Sequence, residues 1–259
     1  MIPRSAASRG FHNAISFVTA AAALALPLAG CTRPAPQSGT AEAATAPIIR
    51  ASALAPVVLE EFQSQGCSSC PPANANVNAL ADRPEVLALS YAVTYWDQLG
   101  WKDTFDRSAF TQRQWDYAHH AGRGNVATPQ VIVNGTSAIV GSDRAELLQI
   151  LAREGSPAGG PAISAAGSAI SIGGAKTAQP ATVWLVRYDP REQWVSIRAG
   201  ENEGRKLPHR NIVRELVELG EWTGTAAKFD LPATPDAALR SAILVQAGAG
   251  GPIIAARRI

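Results

Sequence analysis

Apolar side chains come in short, dense runs through the first half of the chain, and their spacing predicts alternating strands and helices. Val57 to Phe62 is strand-like, and Val86 to Val93 is a nearly unbroken apolar run, the pattern of a strand covered on both faces. Between them, Ala73 to Leu80 is compatible with a helix that stops before Pro84. A polar and aromatic loop follows, then a helix from Ser108 to about His120. Gln130 to Val133 and Ala138 to Val140 flank Asn134-Gly135, a two-residue hairpin turn signal. Asp143 and Glu146 fit a capping box that opens a last helix running to about Arg153. The order is β-α-β-α-β-β-α, which makes residues 56–154 an α/β domain.

After a Gly- and Pro-rich linker at 155–162 the texture changes to short alternating segments. Thr182 to Tyr188 and Gln193 to Arg198 read as a hairpin about Asp189-Pro190-Arg191-Glu192, with Ile212 to Leu219, Ala242 to Gln246 and Ile253 to Ala256 as further strands. These predict a smaller, mainly β domain over 163–259, built as an antiparallel sandwich or meander. Upstream, residues 32–55 carry almost no large apolar side chain and read as a flexible tether.

The first 31 residues read as an export signal, with Arg4 and Arg9 ahead of the uncharged apolar stretch Ala14 to Leu28. That stretch is too short for a comfortable membrane span, which needs about 20 apolar residues. It ends in Leu28-Ala29-Gly30-Cys31, which resembles a bacterial lipobox; on that resemblance Cys31 becomes the lipidated first residue of the mature protein. The alternative is an ordinary signal peptide cleaved within 40–44, with Cys31 incidental. Thr32 is not the aspartate linked to inner-membrane retention, so a lipid anchor in the outer membrane, facing the periplasm, is the favoured location. The formal charge of +2 includes Arg4 and Arg9; without them 21 basic residues face 21 acidic ones, and no basic run supports nucleic-acid binding.

Of the three cysteines, Cys31 is assigned to lipid, and Cys67 and Cys70 form a C-x-x-C in Gly66-Cys67-Ser68-Ser69-Cys70-Pro71-Pro72. A strand, a C-x-x-C and then a helix is a layout suited to thiol–disulfide chemistry. The positive end of the helix favours a Cys67 thiolate, and Cys70, one turn on, can close a disulfide and expel a bound partner. So small a loop adds little stability, which argues for chemistry over scaffolding. Pro71 and Pro72 fit only in the first helical turn, where their missing N–H groups cost nothing.

Thr128-Pro129-Gln130-Val131-Ile132-Val133-Asn134-Gly135 resembles the thioredoxin and glutaredoxin segment in which a cis-proline opens a strand facing the C-x-x-C. The closer resemblance is to a family of exported bacterial thioredoxin-like proteins of unknown function. It rests on Glu60, Ser64 to Pro72, Tyr95-Trp96-Asp97, Leu99 to Asp103, Phe110 to Gln114, Thr128-Pro129-Gln130, Val140 to Arg144, Gly200 to Gly204 and Asn211-Ile212-Val213. Where that family's pattern has a His and an Asp, this chain has Ala92 and Thr94. The resemblance implies a thioredoxin-like fold and a peptide partner paired beside Thr128 and Pro129. It also implies a buried acid that takes the resolving thiol's proton. Glu61 has the thioredoxin spacing and Glu60 matches the narrower family. Being adjacent on a strand they face opposite ways, so only one can lie under the site; otherwise both are solvent-facing edge carboxylates.

Tyr95, Trp96, Asp97, Trp101 and Lys102 belong to an insertion that is either a wall beside the cysteines or a small core of its own. His119 and His120 fall at a helix end, and His209 reads as a loop residue. Together these features point to a membrane-tethered thiol–disulfide oxidoreductase acting on protein thiols or disulfides of the cell envelope, with no cofactor. The alternatives are a Cu(I) module using Cys67 and Cys70 with His119 or His120, and a catalytically silent interaction protein.

Overall fold

The computed structural model describes residues 47–259, Pro235 excepted. The export signal, Cys31 and the tether up to residue 46 lie outside the described residues. No described helix is long and apolar enough to cross a membrane.

The first half runs β1 (Val57–Gln63), α1 (Cys70–Asn78), β2 (Val86–Ala92), a 3₁₀ turn (Asp97–Leu99), α2 (Ser108–His120), β3 (Gln130–Val133), β4 (Ser137–Ile139) and α3 (Arg144–Glu154). The second half holds β5 (Ile163–Ala166), β6 (Ala169–Ile172), β7 (Ala181–Asp189), β8 (Gln193–Ser196), β9 (Lys206–His209), β10 (Ile212–Trp222), β11 (Ala227–Asp230), β12 (Arg240–Ala247) and β13 (Ile253–Arg258). The result is a mixed α/β architecture around one eight-stranded sheet, ordered β13-β12-β7-β10-β2-β1-β3-β4. β1 runs parallel to β2 and antiparallel to β3.

Every residue of β1 and β2 is buried, because both faces of these central strands are covered. On one face Val57, Leu59, Ala88 and Val131 pack against Val77 of α1, Leu80 just beyond its end, and Leu147 and Leu151 of α3. On the other, Val58, Phe62, Leu89 and Tyr91 meet Phe110 and Tyr117 of α2. The strand alternation that separates Val57 and Leu59 from Val58 also separates Glu61 from Glu60. A three-stranded sheet, β11-β6-β5, packs its Ile163, Ile170 and Ile172 with Val183 and Leu185 of β7 and Ile243 of β12.

Two small sheets, β11-β6-β5 and β8-β9, lie wholly within residues 163–259, but β7, β10, β12 and β13 extend the first half's sheet, with Ile212 of β10 paired to Ser90 of β2. β2 is apolar on both faces and needs a covered neighbour at each edge, which β10 supplies. The hairpin expected between Thr182–Tyr188 and Gln193–Arg198 does not form either. β7 lies between β10 and β12, while β8 pairs with β9. Five successive buried residues close β7, whereas β8 alternates between half-buried and exposed, so only β7 suits the middle of the sheet. The tether ends earlier than expected, since Ile49 is buried beside α3 and Ser156 N donates to Arg50 O (2.9 Å).

Local signals hold at several turns. Asp143 caps α3 by accepting from Ala145 N (2.7 Å) and Glu146 N (3.1 Å). Asn134 and Gly135 both have positive φ, 48° and 70°, but the β3–β4 loop also takes in Thr136, because Val133 pairs with Ser137.

Candidate redox site

β1 delivers Ser64 to Cys67 into a tight turn, with Cys67 N donating to Ser64 O (3.1 Å) and Cys70 N to Cys67 O (3.2 Å). Cys67 and Cys70 are joined in a disulfide, with Cα atoms 5.5 Å apart, and both are buried. α1 starts at Cys70 rather than Cys67, with Pro71 and Pro72 in its first turn. Cys67 Sγ lies 3.2 Å from Ser69 Oγ and 3.7 Å from Thr128 O. The Thr128–Pro129 peptide is cis. A cavity of about 300 Å³ opens against Pro129, with Val126, Gln130, Ile139, Val140 and Arg123 around it. Pro129 lines this cavity while the carbonyl that precedes it faces Cys67 Sγ; the cysteines themselves are not among the cavity's lining residues.

The two acids of β1 part company. Glu60 lies on the α2 face, fully buried, where Arg113 donates to it from Nε (2.7 Å) and Nη2 (3.1 Å) and Tyr117 Oη donates as well. Arg113 also reaches Gln246 Oε1 (3.1 Å) and stands over the rings of Tyr117 (5.2 Å) and Trp184 (5.6 Å). Glu61 lies on the α1 face, also fully buried. With its amide nitrogen turned toward the strand, Asn74 of α1 donates to Glu61 Oε1 (2.7 Å) and to Cys70 O (3.0 Å); the opposite orientation leaves acceptors facing acceptors. Glu61 is thus one side chain removed from Cys70, and its Oε2 has no partner. Burial pushes its carboxyl up to about 8, against a smaller opposing pull from Ser90. Neither acid is the exposed edge carboxylate that the sequence also allowed.

The raised Glu61 carboxyl has a stability consequence. Its folded-state value lies above its unfolded value, so its contribution is fully present below about pH 4.5 and is lost as pH rises toward 8. Glu61→Gln, which cannot ionise, should therefore be more stable than the wild type by roughly 3 kcal/mol at pH 7 and little different near pH 4. Urea unfolding of both proteins at the two pH values checks this; a difference independent of pH would contradict it.

The insertion after β2 braces the cysteine turn. Gln65 N donates to Asp103 Oδ2 (2.7 Å), Trp101 Nε1 donates to Gln65 Oε1 (2.9 Å), and Gln65 Nε2 donates to Thr104 Oγ1 (2.8 Å). Burial lifts Asp103 to about 6, although the Gln65 and Phe105 amides pull the other way. Asp97 accepts from Lys102 Nζ (2.9 Å) and Asp103 N (3.1 Å), which fixes the insertion's own shape. Trp96 packs on the α2-side core, and Tyr95 Oη donates to Gln114 Oε1 (3.2 Å). The insertion therefore lies against the cysteine turn through Trp101, Asp103 and Thr104, and Trp96 joins the α2-side core rather than a core of the insertion's own. Ala92 sits in a small apolar cluster with Phe105 and Ile212, and Thr94 Oγ1 lies 2.9 Å from Thr111 Oγ1.

A second brace was not anticipated. The loop between β8 and β9 lies on the turn, where Asn202 Nδ2 donates to Gln65 O (2.9 Å) and Cys67 O (2.8 Å). Its neighbour Glu201 accepts from Ser68 N (3.0 Å) and Ser68 Oγ (2.7 Å). Gly200 has φ 79°, and a Cβ there would stand 3.5 Å from Trp101 Cβ. The only sequence signal for this loop was the Gly-Glu-Asn-Glu-Gly run within the family resemblance.

The histidines stand elsewhere. His119 and His120 are exposed in the last turn of α2, and His119 stacks near Trp115 (5.3 Å). His209 is on β9 rather than in a loop, buried against Phe105, and burial lowers its imidazole to about 4. Among the described residues no group of three or more His, Cys, Asp or Glu side chains is placed to hold a metal ion, so neither helix-end histidine joins the cysteines in one.

The family described as "Protein of unknown function (DUF1223)" matches residues 58–246, a span reaching from β1 into β12. A crystal structure of an Agrobacterium tumefaciens protein is similar at 32% identity, covering 81% of this chain and 94% of that one, with a TM-score of 0.65. HBP35 of Porphyromonas gingivalis is similar in fold, at 13% identity over 80% of this chain and 75% of that one, with a TM-score of 0.53. No curated protein matches the chain.

Proposed function

We propose that this chain, which belongs to the DUF1223 family of proteins of unknown function, is a thiol–disulfide oxidoreductase with a thioredoxin-like first half. The observation that carries this reading is the placement of Cys67 Sγ against the carbonyl that precedes a cis-proline, with a buried acid linked through Asn74 to the backbone carbonyl of Cys70. A structural cysteine pair has no use for an acceptor strand on one side and a proton-exchanging carboxyl on the other. The likeness of residues 28–31 to a lipobox extends the reading to a lipid-anchored protein of the cell envelope.

In the reduced state, the Cys67 thiolate attacks one sulfur of a partner protein's disulfide, and the other partner sulfur leaves as a thiolate that takes up a proton. Cys70 then attacks Cys67 Sγ. Its proton passes to Glu61, and the second partner sulfur leaves. Two electrons move from chain to partner, one disulfide forms as one breaks, and a dithiol reductant resets the chain. Run backward, the same steps oxidise a partner dithiol, with protonated Glu61 returning the proton to Cys70. The partner's backbone would lie along the region beside Pro129, where Val126 and Val140 offer apolar contacts.

The test is an equilibrium titration of the full chain in glutathione and dithiothreitol buffers, with the Cys67–Cys70 state read by thiol labelling and mass. A reversible couple between about −120 and −270 mV, the range of known oxidoreductases, is the expected result. A pair that never cycles overturns the reading in favour of a silent interaction protein.

A further inference from the structure

A carboxylate rests on the solvent-facing corner of the cysteine turn. Ser68 is exposed while Cys67 beside it is buried, and both hydrogen-bond donors of Ser68, its N–H and its hydroxyl, point to Glu201 Oε2. Asn202 holds the contact in register by pinning the carbonyls of Gln65 and Cys67 from the same loop.

The turn also offers a Cys67 thiolate few donors. Thiolates at helix starts are stabilised by the first backbone N–H groups and by the dipole they express. Here Cys70 N is engaged by Cys67 O, Pro71 and Pro72 have no N–H, and Ser68 N is turned to Glu201. Ser69 Oγ remains at 3.2 Å from Cys67 Sγ, yet it also lies 3.4 Å from Thr128 O. The other ionisable groups held against the turn add no compensating cation at the sulfur. Asp103 binds Gln65 N, Glu61 lies beneath α1, and Arg205 Nη1 donates to Asn202 Oδ1 (2.8 Å).

We propose that Glu201 is a positioning residue that holds the Cys67–Cys70 couple toward the reducing side, by setting a negative charge against the turn that must carry the Cys67 thiolate. The proposal rests on the oxidoreductase reading. The disulfide form is uncharged and indifferent to Glu201. The dithiol form gains stability when Cys67 ionises, and a neighbouring carboxylate opposes that ionisation. The reduced form is thereby raised relative to the oxidised one and gives up its two electrons and two protons to a partner disulfide more readily.

Glu201→Gln keeps the acceptor oxygen and removes the charge. In glutathione buffers at about pH 9.5, roughly a unit above the value of a cysteine thiol of ordinary acidity, the full-length variant should retain its dithiol form three- to tenfold more than the wild type, about 14 to 30 mV on a two-electron couple. At about pH 6 the two proteins should converge, because Cys67 is then a thiol in both. Glu201→Asp keeps the charge and should stay within about twofold of the wild type. Raising salt to about 1 M should move the wild-type ratio toward that of Glu201→Gln, since the carboxylate is exposed. A wild-type ratio indifferent to salt, an unchanged ratio in Glu201→Gln, or an equal shift in Glu201→Asp overturns the proposal while both proteins still cycle, and leaves the oxidoreductase reading standing. A pair that cycles in neither protein overturns that reading, and this proposal with it.

Discussion

Cys67→Ser is expected to abolish exchange with a disulfide substrate, a loss of about 10³-fold or more, because the thiolate is the attacking group and an alcohol of high pKa cannot replace it. Cys70→Ser should behave differently. Cys67 remains able to attack, the mixed disulfide forms, and nothing expels the partner. Cys70→Ser should therefore accumulate covalent adducts that vanish on reduction, and the double variant Cys67→Ser/Cys70→Ser should accumulate none. Non-reducing electrophoresis followed by mass analysis separates these outcomes. Adducts formed equally by Cys67→Ser would assign the attack to Cys70 instead. The geometry argues otherwise: Cys70 opens α1 and its carbonyl is tied to Asn74, whereas Cys67 Sγ faces the Thr128 carbonyl.

The largest loss of stability is expected from Glu60→Ala. The Glu60–Arg113 pair is buried on both sides, 0% and 4% exposed, so removing the carboxylate leaves a guanidinium charge with no counter-ion inside the protein. Breaking one side of such a pair costs about 3–5 kcal/mol. Tyr117 also loses its acceptor, and Gln246 of β12 would be left with the stranded cation. Removing both charges together, as in Glu60→Leu/Arg113→Met, should restore much of the loss, because the pair's own desolvation cost disappears with it. Urea midpoints for the single and double variants decide the matter. A double variant as unstable as Glu60→Ala would mean that the pair contributes packing shape rather than charge balance.

What could be read in advance follows the range over which each feature is encoded. The strands and helices of 57–154 were legible because their signals are local: two-faced apolar runs in β1 and β2, Asp143 ahead of α3, Asn134-Gly135 between β3 and β4. Cys67, Cys70 and Thr128-Pro129 were legible as motifs. The alternation of β1 showed that Glu60 and Glu61 must part, but not which goes where. That depends on α1 covering one face and α2 the other, with Arg113 waiting under α2. Strand partners were hidden for the same reason. Nothing within Gln193 to Ser196 says that it pairs with Lys206–His209 instead of β7, and the short, Ala- and Ser-rich β5 and β6 gave no periodic pattern. Asn202 and Glu201 were the costliest omission, since a polar run between glycines reads as any surface turn until it is seen against Gln65 and Ser68.

That long reach orders events as the chain folds. Asn202 lies 137 residues beyond Gln65 and 135 beyond Cys67, and β2 meets β10 only at Ile212. Closing contacts over such separations is slow compared with forming the hairpins and helices nearby. A chain emerging from its N-terminus therefore presents Cys67 and Cys70 before the loop that clasps them exists. During that interval the thiols meet oxidants and other thiols without Glu201 or Asn202 in place. Maturation of the site is thus tied to completion of the C-terminal half, and a chain cut short after α3 would carry both cysteines in a turn missing one of its two braces.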